Sequence, residues 1–229
     1  MMRFLALLPL AVFWVTVLLV ALPAAAKEGN ASQADAAALA LLEQVASHSQ
    51  VTTTLSSPFV QERHSPLLAE PLVSEGQLCL SRRKSLAGTA HDDGMDVLWA
   101  YTRPAAPGFL LRQGLGSMVQ GDGTLRPLNQ REQTATAAIA RLMALWLQPD
   151  ARRIQSQYTI ARPHPEAPTL VLTPRRPQFF TRLEATFAAD GSALLNLLLE
   201  EKNGATLRLT FTDTRINEPL PGPCQMLGN

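Results

Sequence analysis

The chain has 229 residues, 20 Lys and Arg against 19 Asp and Glu, and a formal net charge of +1. So even a balance leaves no basic stripe to neutralise phosphates, which excludes nucleic acid as an expected partner. The length suits one domain with a substantial core.

The first element is an apolar run. Only Met1, Met2 and Arg3 precede it, and nothing from Phe4 to Leu22 is charged. It ends at Pro23-Ala24-Ala25-Ala26, followed by the polar Lys27-Glu28-Gly29-Asn30. A short cationic lead, a hydrophobic stretch and an Ala-x-Ala exit are the parts of a secretory signal peptide, cleaved after Ala26. An uncleaved anchor is the competing reading, since about 20 apolar residues can span a bilayer. The alanine-rich exit favours cleavage, and no cysteine follows it to carry a lipid anchor. Residues 1–26 are therefore read as signal peptide and 27–229 as a single domain. Without Arg3 this domain keeps 19 basic and 19 acidic side chains. Both cysteines, Cys79 and Cys224, fall in the exported part. In an oxidising compartment they read as one disulfide tying the tail to an early strand, with two independent thiols as the other reading.

Ala31 to His48 predicts a helix. Leu39, Leu41, Leu42 and Val45 give it an apolar face, and Asn30 or Ser32 can cap it. Val51 to Gln61 is rich in Thr, Val and Phe and predicts an extended segment. Pro66 and Pro71 interrupt it, and Val73 to Leu80 resumes. Arg82 to Gly94 reads as an exposed polar loop. Asp96 to Tyr101, Phe109 to Arg112 and Ser117 to Gln120 are further strands, and Gly121-Asp122-Gly123 is a hairpin signal. Thr134 to Leu147 predicts a second helix, with Ile139, Leu142, Met143 and Trp146 at i, i+3, i+4 and i+7. Pro149 stops it, and a loop broken by Pro163, Pro165 and Pro168 follows. Leu170 to Leu172 leads into Thr173-Pro174. Three alternating segments, Phe179 to Phe187, Leu194 to Glu200 and Thr206 to Thr212, are joined at Asp190-Gly191 and Asn203-Gly204 as an antiparallel meander. The order predicts an α+β fold: a strongly curved antiparallel sheet with helices covering its concave face.

Catalytic signals are thin. The histidines at 48, 64, 91 and 164 are dispersed, and His91-Asp92-Asp93-Gly94 lacks the second ligand cluster a zinc or calcium site needs. No nucleophile elbow, Walker loop or dinucleotide fingerprint is present. Gly114-Leu115-Gly116-Ser117 reads as a tight turn, and Arg82-Arg83-Lys84 as a wet surface. The chain reads as a binder, without catalytic residues, metal or cofactor.

Several pieces in order resemble the LolA-type outer-membrane lipoprotein carriers of Gram-negative bacteria. They are Phe59-Val60-Gln61 after the first helix and Gly76-Gln77-Leu78 with Arg82 beyond it. Leu98-Trp99 before Thr102-Arg103-Pro104, then Leu170 to Pro174 and the Asp190-Gly191 turn, complete the series. Together they span roughly Leu41 to Leu220. Two departures stand out: Arg82 is followed by Arg83 and an added polar loop, and the two cysteines are not part of the common pattern. The resemblance implies an incomplete antiparallel barrel with a helical lid, and a soluble, monomeric periplasmic shuttle for acyl chains. It also implies an inner-membrane donor and an outer-membrane acceptor. On that implication Trp99, Phe109 and Leu111, with Ile139, Leu142, Met143 and Trp146 of the second helix, line a lipid cavity. Arg82 then takes the place of the family's functional arginine. The helix stripe read alone fits solid core as well as cavity. A non-catalytic assembly module with a solid core, or a hydrolase with a divergent site, are the other readings.

Overall fold

The computed structural model describes residues 26–82, 94–105, 107–112, 115–130, 132–133 and 149–227, with side chains from residue 36 onward. The predicted signal peptide up to residue 25, the interior of the predicted 82–94 loop and the predicted helix over 134–147 lie outside the described residues.

Helix α1 (Ala26–Val51) opens the chain, longer at both ends than its apolar pattern predicts. Six strands follow: β1 (Thr54–His64), β2 (Leu72–Arg82), β3 (Met95–Arg103), β4 (Gly108–Arg112), β5 (Leu115–Val119) and β6 (Leu125–Pro127). After the short helix α2 (Ala151–Gln157) come β7 (Tyr158–Ala161), β8 (Thr169–Pro174), β9 (Phe180–Phe187), β10 (Leu194–Glu201), β11 (Thr206–Phe211) and β12 (Arg215–Ile216). A 3-10 helix, Gly222–Leu227, ends the described chain. The strands form a single sheet in the order β6-β5-β4-β3-β2-β1-β11-β10-β9-β8-β7, with β12 beside β1. Each pairing is antiparallel, and β6 and β7 stand at opposite ends of the order. The fold is therefore the expected α+β, half-open antiparallel barrel, with α1 on its concave side.

The meander is built as its turns predict. Gly191 and Gly204 take φ of +73° and +82°, the left-handed conformation that Asp-Gly and Asn-Gly turns need. Helix α2 and strand β7, like β12 and the 3-10 helix, were not visible in the sequence pattern. Asp150 caps α2 by accepting from the Arg153 amide at 3.1 Å, and Ile154 is that helix's buried residue. Strand β7 then alternates buried Tyr158 and Ile160 with exposed neighbours.

The sheet buries its two faces differently. On β9 to β11 the inner positions are apolar, while the outer ones carry the Arg182–Glu184, Arg182–Glu200 and Arg208–Glu62 ion pairs. This is a half-solvated antiparallel sheet. On β2 to β4 both faces are buried. Leu78, Leu80, Val97, Trp99 and Phe109 belong to the inner core, whereas Cys79, Leu98, Leu110 and Val119 form a second cluster with Cys224 and Leu227. The C-terminal tail thus lies over the outer face of these strands. The expected disulfide holds it there: Cys79 and Cys224 are bonded, with their Cα atoms 5.7 Å apart.

The bridge closes a loop of 145 residues, which on the loop-entropy account stabilises the fold by roughly 4–5 kcal/mol. Reductant, or Cys79→Ala with Cys224→Ala, should lower the unfolding free energy from urea titration by several kcal/mol and the midpoint with it. Superimposable curves with and without reductant would contradict this, as would alkylation of both thiols in denatured, non-reduced protein.

Candidate functional site

Cross-strand pairs build the inner face row by row. Leu209 faces Leu197, Leu197 faces Ala185, and Ala185 faces Leu170. The next row runs Leu207, Leu199, Leu183, Leu172 and Ile160. On the other side of β11 the surface turns aromatic. Phe59 of β1 is flanked by Phe211 in register on one side and Gly76 on the other. Because Gly76 has no side chain, the Phe59 ring crosses it and meets the Trp99 ring with centroids 4.2 Å apart. Trp99 in turn stacks on Phe109 of β4, nearly parallel at 6.3 Å. Tyr101 closes the group edge-on to Phe59, and its hydroxyl donates to Gln61 Oε1 at 3.0 Å.

Helix α1 lies on this face through Ala38, Leu41, Leu42 and Val45, all buried in the same cluster. Their i, i+3, i+4, i+7 spacing is one stripe. Buried alanine and medium aliphatics make this contact, and the larger side chains come from the sheet.

The helix is fastened by polar groups at its C-terminal end. Arg82, the last residue of β2, donates from Nε to the Thr52 carbonyl at 3.0 Å and from Nη2 to the Ser49 carbonyl at 2.8 Å. A helix C-terminus leaves such carbonyls without intrahelical partners and favours a cation beside them. Asn217, at a positive φ of 59°, donates through Nδ2 to the Val51 carbonyl and accepts from the Thr53 amide at 2.7 Å. Gln44 donates to the Asp190 carbonyl at 2.7 Å, clasping α1 to the β9–β10 turn. In that turn the Ser192 hydroxyl and amide both donate to Asp190, holding its carboxyl below the usual carboxylate range. Beside these fastenings lies a cavity of about 50 Å³, lined by Val45, Ser49, Leu55, Leu80, Met95 and Leu194 among others.

Of the predicted lining residues, Trp99 and Phe109 are buried in the inner core cluster, and Leu111 is partly buried against that cluster. Ile139, Leu142, Met143 and Trp146 lie outside the described residues. Arg82 is not among the aromatics; it sits at the far end of β2, under the end of α1. Sequence reasoning missed Phe59, Gly76, Tyr101, Phe211 and Asn217 as members of this site. The available signal was the Phe59 and Gly76 motif pair, used for resemblance and not for contact. Among the described residues no three or more His, Cys, Asp or Glu side chains gather. No described helix is long and apolar enough to cross a membrane.

No family model matches the sequence, and no curated protein matches it. Several solved structures are similar to it at low TM-score and low identity. A Pseudomonas aeruginosa MucA/MucB complex matches at TM-score 0.47 and 17% identity, over 81% of this chain and 59% of that chain. This chain therefore spans less than two thirds of that relative. A LolA superfamily protein from Nitrosomonas europaea matches at TM-score 0.40 and 12% identity, over 81% of this chain and 96% of that one. The Mycobacterium tuberculosis lipoprotein LppX matches at TM-score 0.43 and 13% identity, over 82% and 98%.

Two substitutions probe how the site is held. Arg82→Met removes both charge-assisted bonds to the end of α1 and should cost about 1–2 kcal/mol. Amide exchange in α1 should accelerate while β9 to β11 stay protected; unchanged α1 exchange would contradict the fastening. In Gly76→Ala the new methyl meets both the Phe59 ring and the Ala100 carbonyl, and the carbonyl belongs to the backbone. The expected loss is about 1–3 kcal/mol, read by thermal melting, and a neutral outcome would contradict the ring-over-glycine packing.

Proposed function

We propose that this protein is an exported periplasmic carrier that holds acyl chains of a lipoprotein or other lipid on the inner face of its half-barrel. The observation that carries the reading is the contrast between that face and its cover. The face is apolar from Leu170 across to Phe109, and α1 rests on it through small and medium side chains, secured at one end by a few hydrogen bonds. An acyl chain replacing the helix there leaves water at roughly 25 cal/mol per Å² of apolar area. The polar fastenings are the part of the contact that can be exchanged without unfolding the sheet. Arg82 is the fastening that cargo or a partner displaces.

On this reading the signal peptide is removed after Ala26 in a Gram-negative bacterium. The mature chain works as a monomer, taking cargo from an inner-membrane donor and passing it to an outer-membrane acceptor. Its action is binding, without turnover. Ile139, Leu142, Met143 and Trp146 are on this reading lipid-binding residues together with Trp99, Phe109 and Leu111, and Met143 supplies an adaptable side chain.

A second reading, an assembly module with a solid core, draws on the close aromatic packing of Phe59, Trp99 and Phe109. Leu142→Trp separates the two. A carrier tolerates the larger ring with near-normal melting and weakened binding of a fluorescent fatty acid. A solid core loses about 1–3 kcal/mol on overpacking, and the unmutated protein then binds no probe.

A further inference from the structure

We infer that Trp99 donates a hydrogen bond to the ester carbonyl of the bound lipid, so that the inner face selects acyl esters over ethers of the same chain length. This rests on the carrier reading above and names the chemistry its site prefers. Trp99 is only 2% exposed, yet its indole Nε1 has no hydrogen-bond partner among the described residues. The large majority of buried side-chain polar atoms are hydrogen-bonded, and a tryptophan in a core usually finds a partner for its N–H. The surroundings explain the orphan. The ring lies among Phe59, Tyr101 and Phe109, and across the strands it faces Leu78 and Phe109. The Tyr101 hydroxyl, the polar group of this cluster, is directed to Gln61.

A phenylalanine would complete this aromatic row without leaving a donor unpaired. The indole adds one N–H in the middle of an apolar face, next to the strand positions where an acyl chain would lie. An esterified acyl chain brings one strong acceptor into such a site, its carbonyl oxygen, which must also leave water. Pairing the two satisfies both groups at once, whereas an ether analogue has no carbonyl and leaves the indole as it is.

The test compares monooleoyl glycerol with its oleyl ether analogue, each displacing a fluorescent fatty acid from the mature protein. Wild type should prefer the ester by roughly five- to tenfold, the weight of one net hydrogen bond. Trp99→Phe should bind both lipids equally. The ratio is insensitive to a general loss of affinity in the variant. In unmutated protein labelled with 15N-tryptophan, the Trp99 indole proton should also shift downfield with the ester and stay in place with the ether. Equal binding of ester and ether by wild type, or an ester preference kept by Trp99→Phe, would overturn the inference while leaving the carrier intact. Folded wild type that binds neither lipid would overturn the carrier reading and the inference with it.

Discussion

Strand β1 is the constraint on which the other features depend. It pairs with β2 on one side and with β11 on the other, so it alone joins the sheet's N-terminal and C-terminal halves. Phe59 sits at that junction, opposite Phe211 and over Gly76, and its ring carries the inner surface across β2 to Trp99. Remove this crossing and the aliphatic rows of β8 to β11 are separated from the aromatic group of β3 and β4. The pairing is also long-range in sequence, and such contacts require a large loop to close before they stabilise anything. The Cys79–Cys224 bond acts on the same problem, since it ties the last described turn to β2, the neighbour of β1.

The same geometry decides what each surface can do. One half of the sheet leaves its outer face to ion pairs and water, and the other half covers its outer face with the tail. Among the described residues the strongly apolar inner face is covered by α1, with alanine, leucine and valine, and by Ile154 of α2, and α1 is fixed toward its end by Arg82, Asn217 and Gln44. Apolar contact is non-directional, and on the carrier reading this lets the stripe part and close again. The hydrogen bonds at the helix end are directional and set where it returns.

Legibility followed the physics of each element. Strands β9 to β11 were plain because one face is dry and the other wet, and because Gly191 and Gly204 occupy turns that need positive φ. Strands β3 and β4 gave a correct location but no facing, since Leu98 and Trp99, or Phe109 and Leu110, are buried on opposite sides. A continuous apolar run carries no period. Helix α2 and strand β7 are too short for periodicity and sit between prolines, so only Asp150 marked them. The role of Arg82 could not come from spacing: its partners are carbonyls 30 and 33 residues away. Asn217 is harder still, a tail residue capping the first helix. The half-barrel was reached from sequence order and resemblance together, while the aromatic crossing needed coordinates.

The central claim is that the inner face holds acyl chains in the working protein. Native mass spectrometry of the protein released from the periplasm without detergent tests it most directly. The account predicts a chain beginning at Lys27 that carries lipid, with fatty-acyl fragments released on activation. A population consisting wholly of the bare polypeptide, still empty after incubation with acyl lipid, would contradict it.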